Sequence, residues 1–327
     1  MNKEQTVATM IQTLRGPVPL DNLGETMMHE HVFFWNWGQE HKRAASIAYA
    51  REELLKLAAC GAGTVVDVGP RPERNMAWYQ ELAPQVPLNI ILSTGYYVEG
   101  MTPEPWRSQS EGECADRMRR ELLEGINGTT VRAGLIKAAS TKATLTEWEQ
   151  KVLRAAATVQ SETGVPLCLH SCEGARTQFD WLVRHGADPE RLYFSHVEAE
   201  FGWEGRTLRE EAKYLEAIAC EGGSLFFNNY LFEFDTPHED MMYLMHYLLD
   251  KGYLHRILFG MDVNFDIADD GRIWVEAEKD HPETAARTWE GIYTGYVPLV
   301  KRWGFTDAEI MIMFVDNPRR MFSATRI

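Results

Sequence analysis

The sequence predicts a (β/α)8 TIM barrel, and three observations lead to that prediction. The chain has 327 residues, within the range of about 200 to more than 400 residues over which such barrels occur. Eight short apolar segments alternate with longer amphipathic segments along most of the chain. No dinucleotide-binding glycine motif, internal repeat or low-complexity linker interrupts them. We therefore predict one domain over residues 1–327, with a doubly wound sheet as the structural alternative.

The eight apolar segments are predicted to be buried parallel strands. Each is rich in β-branched, leucine or aromatic residues and is bounded by glycine, proline or polar residues, which is typical of strands covered on both faces. In chain order the predicted strands are residues 26–34, 63–69, 88–95, 133–138, 166–170, 192–196, 224–228 and 257–262.

The segments between these strands carry helix signals. In residues 46–59 the apolar side chains lie near one face, and Gly61 follows as a C-cap. Residues 146–163 begin with a threonine and have Glu149 three positions later, which is the spacing of a capping box. Two similar amphipathic segments, 207–221 and 238–251, are each followed by a glycine.

Three connections are longer than a minimal barrel needs: residues 98–113, 197–206 and 263–283. Each follows a predicted strand and contains a tryptophan. In a barrel they would lie at the carboxyl ends of the strands, where active sites form. They are interpreted either as a lid over a pocket or as ordinary surface loops.

The amino-acid composition indicates which binding partners and which cellular compartment to expect. Lys and Arg number 33 against 48 Asp and Glu, a formal net charge of −15, which argues against a nucleic acid or an anionic membrane as partner. No apolar run approaches the roughly 20 residues of a membrane helix. The first residues include Lys3 and Glu4 and do not resemble a secretory signal. Five scattered cysteines indicate free thiols, so a cytoplasmic location is expected.

Polar residues occur in strands that should be apolar. His29 and His31 are two positions apart, so both point to one face of the first strand while Glu30 points to the other, a geometry that suits two imidazoles on one metal ion. The fourth, fifth, sixth and eighth strands end with Lys137, His170, His196 and Asp262. Taken singly, each has an ordinary interpretation: a solvated lysine, a hydrogen-bonded core histidine or a helix-capping aspartate.

Taken together, these residues predict a metal centre. Imidazole and carboxylate ligands without cysteine suit zinc, manganese, cobalt or iron rather than a structural thiolate site. A lysine inside the barrel would bury its charge at high cost or become a neutral, reactive amine. Cys168 and Cys172 flank His170 and are interpreted as packing residues, with a Cys–His nucleophile pair as the alternative.

The chain resembles the phosphotriesterase-like branch of the amidohydrolase superfamily. The resemblance extends over nearly the whole sequence. It is carried by RGPV at 15–18, LGET at 23–26, MHEH at 28–31, GYY at 95–97, RAGLIK at 132–137, GMD at 260–262 and NPRRMF at 317–322.

The resemblance implies an amidohydrolase-type barrel with two divalent metal ions, zinc foremost. In that family a lysine in the position of Lys137 carries a CO2-derived carbamate that bridges the two metals, together with a hydroxide. The buried metal would be held by His29, His31 and Asp262, and the outer metal by His170 and His196. Tyr97 matches the tyrosine that contacts the substrate in lactonases. Dimers are common in the family, so a homodimer is one expected assembly.

We therefore predict a binuclear hydrolase that cleaves an ester-type bond of a small molecule, with Asp262 as the catalytic proton acceptor. The bond is a lactone, a carboxylic ester or a phosphotriester. An amidase acting on N-acyl compounds is the alternative, and a non-catalytic binding barrel is a third. Residues 196–200 (HVEAE) lack the aspartate and arginine common after the sixth strand. Residues 228–230 (NNY) lack the arginine of the lactonase branch, so the substrate class stays open.

Overall fold

The structure is a computed structural model that describes residues 9–34, 39–72, 74–171, 173–199 and 205–327. Two short antiparallel strands, β1 (Met10–Ile11) and β2 (Val18–Pro19), come first. Eight parallel strands then pair in chain order in one sheet. They are β3 (Glu25–Glu30), β4 (Ala62–Asp67), β5 (Asn89–Gly95), β6 (Leu135–Ala139), β7 (Leu167–His170), β8 (Leu192–Ser195), β9 (Ser224–Phe227) and β10 (Ile257–Phe259). The predicted barrel is confirmed.

Helices follow the strands. They are α1 (Arg43–Ala59), α2 (Met76–Leu82), α3 (Glu111–Leu123), α4 (Glu147–Thr163), α5 (Ala175–Arg184), α6 (Leu208–Cys220), α7 (His238–Asp250), α8 (Val297–Arg302), α9 (Asp307–Met311) and α10 (Asn317–Phe322). The predicted capping box is present at Thr146 and Glu149. Within the part of the chain that the structure describes, no helix is both long and apolar enough to cross a membrane.

Each of the eight barrel strands contributes one residue to a buried apolar cluster, which residues outside these strands complete. The strand residues are Met28, Val66, Ile91, Leu135, Cys168, Tyr193, Phe226 and Leu258. The strand register shifts between Met27 and Glu30, so simple alternation of side chains fails there. This irregularity lets Met28 join the interior cluster while the next residue, His29, enters the functional site. Irregularities of this kind commonly re-aim a side chain beside an active site.

Hydrogen bonds from both a side chain and the backbone join the end of the first barrel strand to the segment that follows the last one. The Glu30 carboxylate accepts hydrogen bonds from the backbone N–H groups of Met261 (3.2 Å) and Val263 (2.7 Å). In return, the N–H of His31 donates to the carbonyl of Val263 at 3.0 Å. Burial raises the pKa of Glu30 to about 8. Glu30 therefore fastens the backbone on either side of Asp262.

Six of the eight predicted strand ends differ from the observed ones. The first strand ends at Glu30 rather than at residue 34, and the last ends at Phe259 rather than at Asp262. The second strand ends at Asp67 rather than at residue 69, and the sixth and seventh end one residue before His196 and Asn228. Lys137 was expected to end the fourth strand but is the middle residue of β6, because Ala138 and Ala139 continue to pair with β7.

Part of the long connection after β10 forms an antiparallel hairpin. Its strands are β11 (Phe265–Ile267) and β12 (Ile273–Val275). Of the connection at 197–206, residues 200–204, including Trp203, lie outside the described residues. The four cysteines that the structure describes are free, as predicted, whereas Cys172 lies outside the described residues.

Candidate metal centre

The six residues predicted to bind metal meet at the carboxyl end of the barrel. His29 and Lys137 lie within β3 and β6, and His170 is the last residue of β7. His31, His196 and Asp262 lie just beyond the ends of β3, β8 and β10. Residues far apart in the sequence thus line one small volume.

Asp262 is at the centre of this cluster. Its Oδ1 lies 3.4 Å from His29 Nε2 and 3.1 Å from His31 Nε2, and its Oδ2 lies 3.6 Å from His196 Nε2. His29, His196 and Asp262 each offer a ligand atom within 4.8 Å of the others, so this trio could hold a metal ion. The His170 ring lies 4.6 Å from the His196 ring, centroid to centroid. The carboxylate of Asp262 therefore faces ligands assigned by resemblance to both metals.

Two of these residues have unusual backbone conformations. His196 has a φ of +64° and Asp262 a φ of +52°, in the left-handed region that non-glycine residues seldom occupy and that clusters at functional sites. Asn228 holds His196 in place, because its Oδ1 accepts from the His196 N–H at 3.1 Å and its Nδ2 lies 3.0 Å from Nδ1. Hydrogen bonds to Glu30 on either side of Asp262 do the same for that residue.

The environment keeps these side chains in the protonation states that bind metals. Burial, joined by neighbouring positive charge, lowers the pKa of His29 and His170 well below the ordinary value and that of His196 to about 4. Burial alone would raise the pKa of Asp262, but His29 and then His31 hold it well below its ordinary value. Neutral imidazoles and an ionised carboxylate are the forms required for metal binding.

The surroundings of the Lys137 side chain show whether a binuclear metal site fits these residues. Its side chain is fully buried, and its Nζ lies 3.4 Å from His29 Nε2 and 3.3 Å from Cys168 Sγ. No carboxylate of a described residue lies within 4 Å of this nitrogen. A buried ammonium without an anionic partner is costly, whereas an anionic carbamate between two cations would be compensated. The donor set therefore fits the metals that the resemblance implies.

Close packing also fixes the position of Lys137. The carbonyl of Lys137 accepts a hydrogen bond from the N–H of Tyr96 at 2.9 Å. Gly95 has a φ of +112°, and a Cβ at this position would lie 2.0 Å from the same carbonyl oxygen. A glycine is therefore required at position 95 for β5 to approach β6 beside the site.

The four histidines of the cluster and Asp262, but not Lys137, line a cavity of about 90 Å³, which we call the metal cavity. Its wall is completed by residues from the strand ends and long loops: Phe34, Tyr97, Met101, Asn264 and Glu276. The hydroxyl of Tyr97 lies 3.4 Å from His170 Nδ1. The predicted substrate contact is thus at the metal cavity, and two of the three long connections contribute to its wall.

Residues 9–322 match the model of the Phosphotriesterase family. The chain belongs to the phosphotriesterase family. It is 28% identical over 335 residues to a phosphotriesterase homology protein of Mycobacterium tuberculosis, covering 95% of this chain and 97% of that protein. It is 26% identical over 301 residues to the N-acetyltaurine hydrolase of Xenopus tropicalis, covering 78% of this chain and 84% of that protein.

The fold matches solved structures of the family. A mutant of a PTE-like lactonase from Deinococcus radiodurans has a TM-score of 0.81 and 30% identity, covering 95% of this chain and 99% of that chain. The resemblance predicted from the sequence motifs is confirmed. As a member of the phosphotriesterase family, the chain is a hydrolase.

The departures from the family pattern after β8 and β9 have a structural role. Glu198 is buried, and its Oε1 accepts from the backbone N–H groups of Asn228 (2.5 Å) and Asn229 (2.6 Å). Burial raises the pKa of Glu198 to about 7. The carboxylate therefore joins the end of β8 to the end of β9 and does not line the metal cavity.

Sequence reasoning missed Arg287, which is fully buried beside the site. Its guanidinium donates to the backbone carbonyls of Asn228 (3.0 Å), Tyr230 and Met261. These carbonyls belong to segments that hold His196 and Asp262. Residue 287 lies in an irregular stretch without helical or strand periodicity, so nothing local indicated that its side chain returns to the barrel.

Replacing Arg287 by lysine should weaken the fold and the metal centre together. A lysine keeps the charge but cannot donate to three carbonyls at once, so we expect unfolding free energy to fall by about 2–4 kcal/mol. Urea unfolding and metal content per chain measure the two effects. Arg272→Lys, at an exposed position over the Trp274 ring, is the control and should stay within about 0.5 kcal/mol. Wild-type stability in the Arg287→Lys variant would contradict this role.

Proposed function

We propose that this protein is a binuclear metal-dependent hydrolase that cleaves an ester-type bond in a small molecule. The observation that carries the proposal is the convergence of the histidines on Asp262 beside a fully buried Lys137. Family membership supports the hydrolytic reaction.

The proposed ligands follow the assignment implied by resemblance. His29, His31 and Asp262 would hold one ion and His170 and His196 the other, and a carbamylated Lys137 would supply an anionic ligand. Bound divalent ions, of which zinc is the first candidate, would polarise the substrate oxygen and lower the pKa of a water.

The chain's own residues then bind the substrate and move the proton. Asp262 is the proposed proton acceptor, because its carboxylate is kept ionised and faces the interior of the metal cavity. Tyr97 would orient the substrate through its hydroxyl. A cavity of about 90 Å³ is smaller than the roughly 300 Å³ or more of typical ligand pockets. It therefore admits the reacting group, while the rest of the substrate lies outside it.

An amide remains the second candidate for the cleaved bond. The relative from Xenopus tropicalis is named an N-acetyltaurine hydrolase, whereas the structural neighbour from Deinococcus radiodurans is a lactonase. The same ligands and proton acceptor serve either bond.

Metal removal tests the proposal. Protein purified without added metal should contain close to two transition-metal ions per chain by elemental analysis. A strong chelator should abolish hydrolysis, and Zn²⁺, Mn²⁺ or Co²⁺ should restore it, because the ligands alone supply no nucleophile. The substrate panel comprises lactones, aryl esters, phosphotriesters, N-acyl amino acids and N-acetyltaurine.

A matched pair of histidine variants supplies the control. His31→Ala should lower metal content and activity, whereas His41→Ala, at an exposed position in the next segment, should change neither. Full hydrolytic activity in rigorously metal-free protein would disprove the mechanism.

A further inference from the structure

A second and larger cavity lies directly beside the metal cavity. It has a volume of about 450 Å³, and Asn264 and Glu276 line both cavities. We call it the outer cavity; its wall also includes Asp266, Trp274, Glu278, Lys279 and Asp280. A substrate whose reacting group occupies the metal cavity would extend past Asn264 and Glu276 into this space.

Glu276 stands at the boundary between the two cavities with little compensation for its charge. Its Oε2 accepts a hydrogen bond from Asn264 Nδ2 at 2.6 Å. Among the described residues, no lysine or arginine nitrogen lies within 4 Å of this carboxylate. The charges of Arg287 and, to a smaller extent, His31 act to lower the pKa of Glu276, but the Arg287 guanidinium donates its hydrogen bonds to three backbone carbonyls instead.

The remainder of the outer cavity is also acidic. Asp266, Glu278 and Asp280 line it together with one basic residue, Lys279. Asp266 is partly neutralised by Lys42, 3.6 Å away, and Lys279 Nζ lies over the Trp274 ring at 5.2 Å. The guanidinium of Arg272 also lies over this ring, at 3.6 Å, so the ring already has cationic partners. An anionic group entering beside Glu276 would meet repulsion, whereas a cationic group would meet carboxylates.

We propose that Glu276 selects substrates that carry an ammonium group beyond the bond that is cleaved. The Glu276 carboxylate would pair with that group at the boundary of the two cavities. The inference rests on the proposed function, because it places the reacting group of the substrate at the metals. Burial and then the charge of Asp262 raise the pKa of Glu276, and an incoming cation would relieve both effects.

Binding of product-like carboxylates to the metal-loaded protein tests the proposal without requiring turnover. The probes are 4-aminobutanoate, 6-aminohexanoate and 8-aminooctanoate, each paired with the carboxylate that ends in a methyl group instead. Calorimetry gives the ratio of the two dissociation constants in each pair. For the best-fitting length, Glu276→Gln should lower the preference for the ammonium ligand by about tenfold or more. The amide can still accept from Asn264, so the wall keeps its shape.

Glu283→Gln is the control, because it makes the same chemical change at an exposed position that lines neither cavity; it should change the same ratio by less than about twofold. An unchanged ratio in Glu276→Gln would overturn the proposal. Loss of metal from Glu276→Gln would also overturn it, since Glu276 would then be a ligand.

Wild-type protein supplies a test that does not depend on the variant folding. It should bind 6-aminohexanoate more tightly than heptanoate, and heptanoate more tightly than the dianion heptanedioate; the reverse order would overturn the proposal. Activity on the ester and amide panel is read separately. Failure of all hydrolysis would count against the proposed function, while the binding ratios would still decide the role of Glu276.

Discussion

Lys137→Ala should lose both metal ions and nearly all activity, a decrease in kcat/KM of roughly a thousandfold or more, equivalent to at least about 4 kcal/mol. The reason is that no other described carboxylate lies within 4 Å of the Lys137 nitrogen to replace a bridging anion. Lys137→Arg should be as damaging, because a guanidinium cannot become a carbamate and would bury a permanent charge. Elemental analysis and steady-state kinetics measure both losses.

Chemical rescue distinguishes the carbamate from a purely structural lysine. A small carboxylic acid such as acetate or propionate should partly restore metal content and activity to Lys137→Ala by supplying the missing anion. In the wild type, bicarbonate should accelerate recovery of activity when metal is added to metal-free protein. Lys142→Ala, exposed in the connection after β6, is the control and should behave as wild type. Retention of one metal ion and activity in Lys137→Ala would reduce the proposal to a mononuclear site of His29, His31 and Asp262. Retention of both ions would contradict the role of Lys137 as a ligand.

Much of the barrel and of the metal cluster could be predicted because both leave local signals. Eight apolar runs separated by amphipathic segments define the strands. A histidine or lysine in such a run is conspicuous, since a buried strand has no ordinary use for it. The pair at His29 and His31 was visible for this reason, and so was Lys137.

Features that depend on contacts distant in sequence left no such signal. The register shift between Met27 and Glu30 arises from the pairing of β3 with β4. The residues of β3 alone do not indicate it. Arg287 lies in a segment without periodicity and reaches the site only after the chain has closed the barrel. Glu276 is one of many acidic residues in the sequence, and only the fold shows that it borders the metal cavity.

The exact ends of the strands could not be predicted from the sequence either. Strand β6 continues past Lys137 because two alanines can pair with β7, and alanine carries little preference for continuing or ending a strand. Asp262 lies outside β10 because its left-handed backbone cannot continue the strand. Apolar patterning detects the buried run, but hydrogen bonding between neighbouring strands decides where it ends.

Asp262→Asn should lower kcat by roughly a hundredfold to ten-thousandfold, because an amide cannot accept a proton from the reacting water. Asparagine is chosen because it tolerates positive φ better than most residues, so the backbone at φ +52° is preserved. Alanine would instead combine the chemical change with backbone strain. The variant should also bind metal more weakly, since a neutral amide replaces an ionised carboxylate near three imidazoles.

Measuring kcat at saturating metal separates these two effects of Asp262→Asn. If metal binding were the only loss, added Zn²⁺ would restore kcat fully; if Asp262 also accepts the proton, kcat should stay low with both sites filled. Asp269→Asn, whose side chain is exposed on the hairpin after β10, should keep wild-type kcat. Recovery of wild-type kcat by Asp262→Asn in excess metal would leave Asp262 a ligand and require another residue to take the proton.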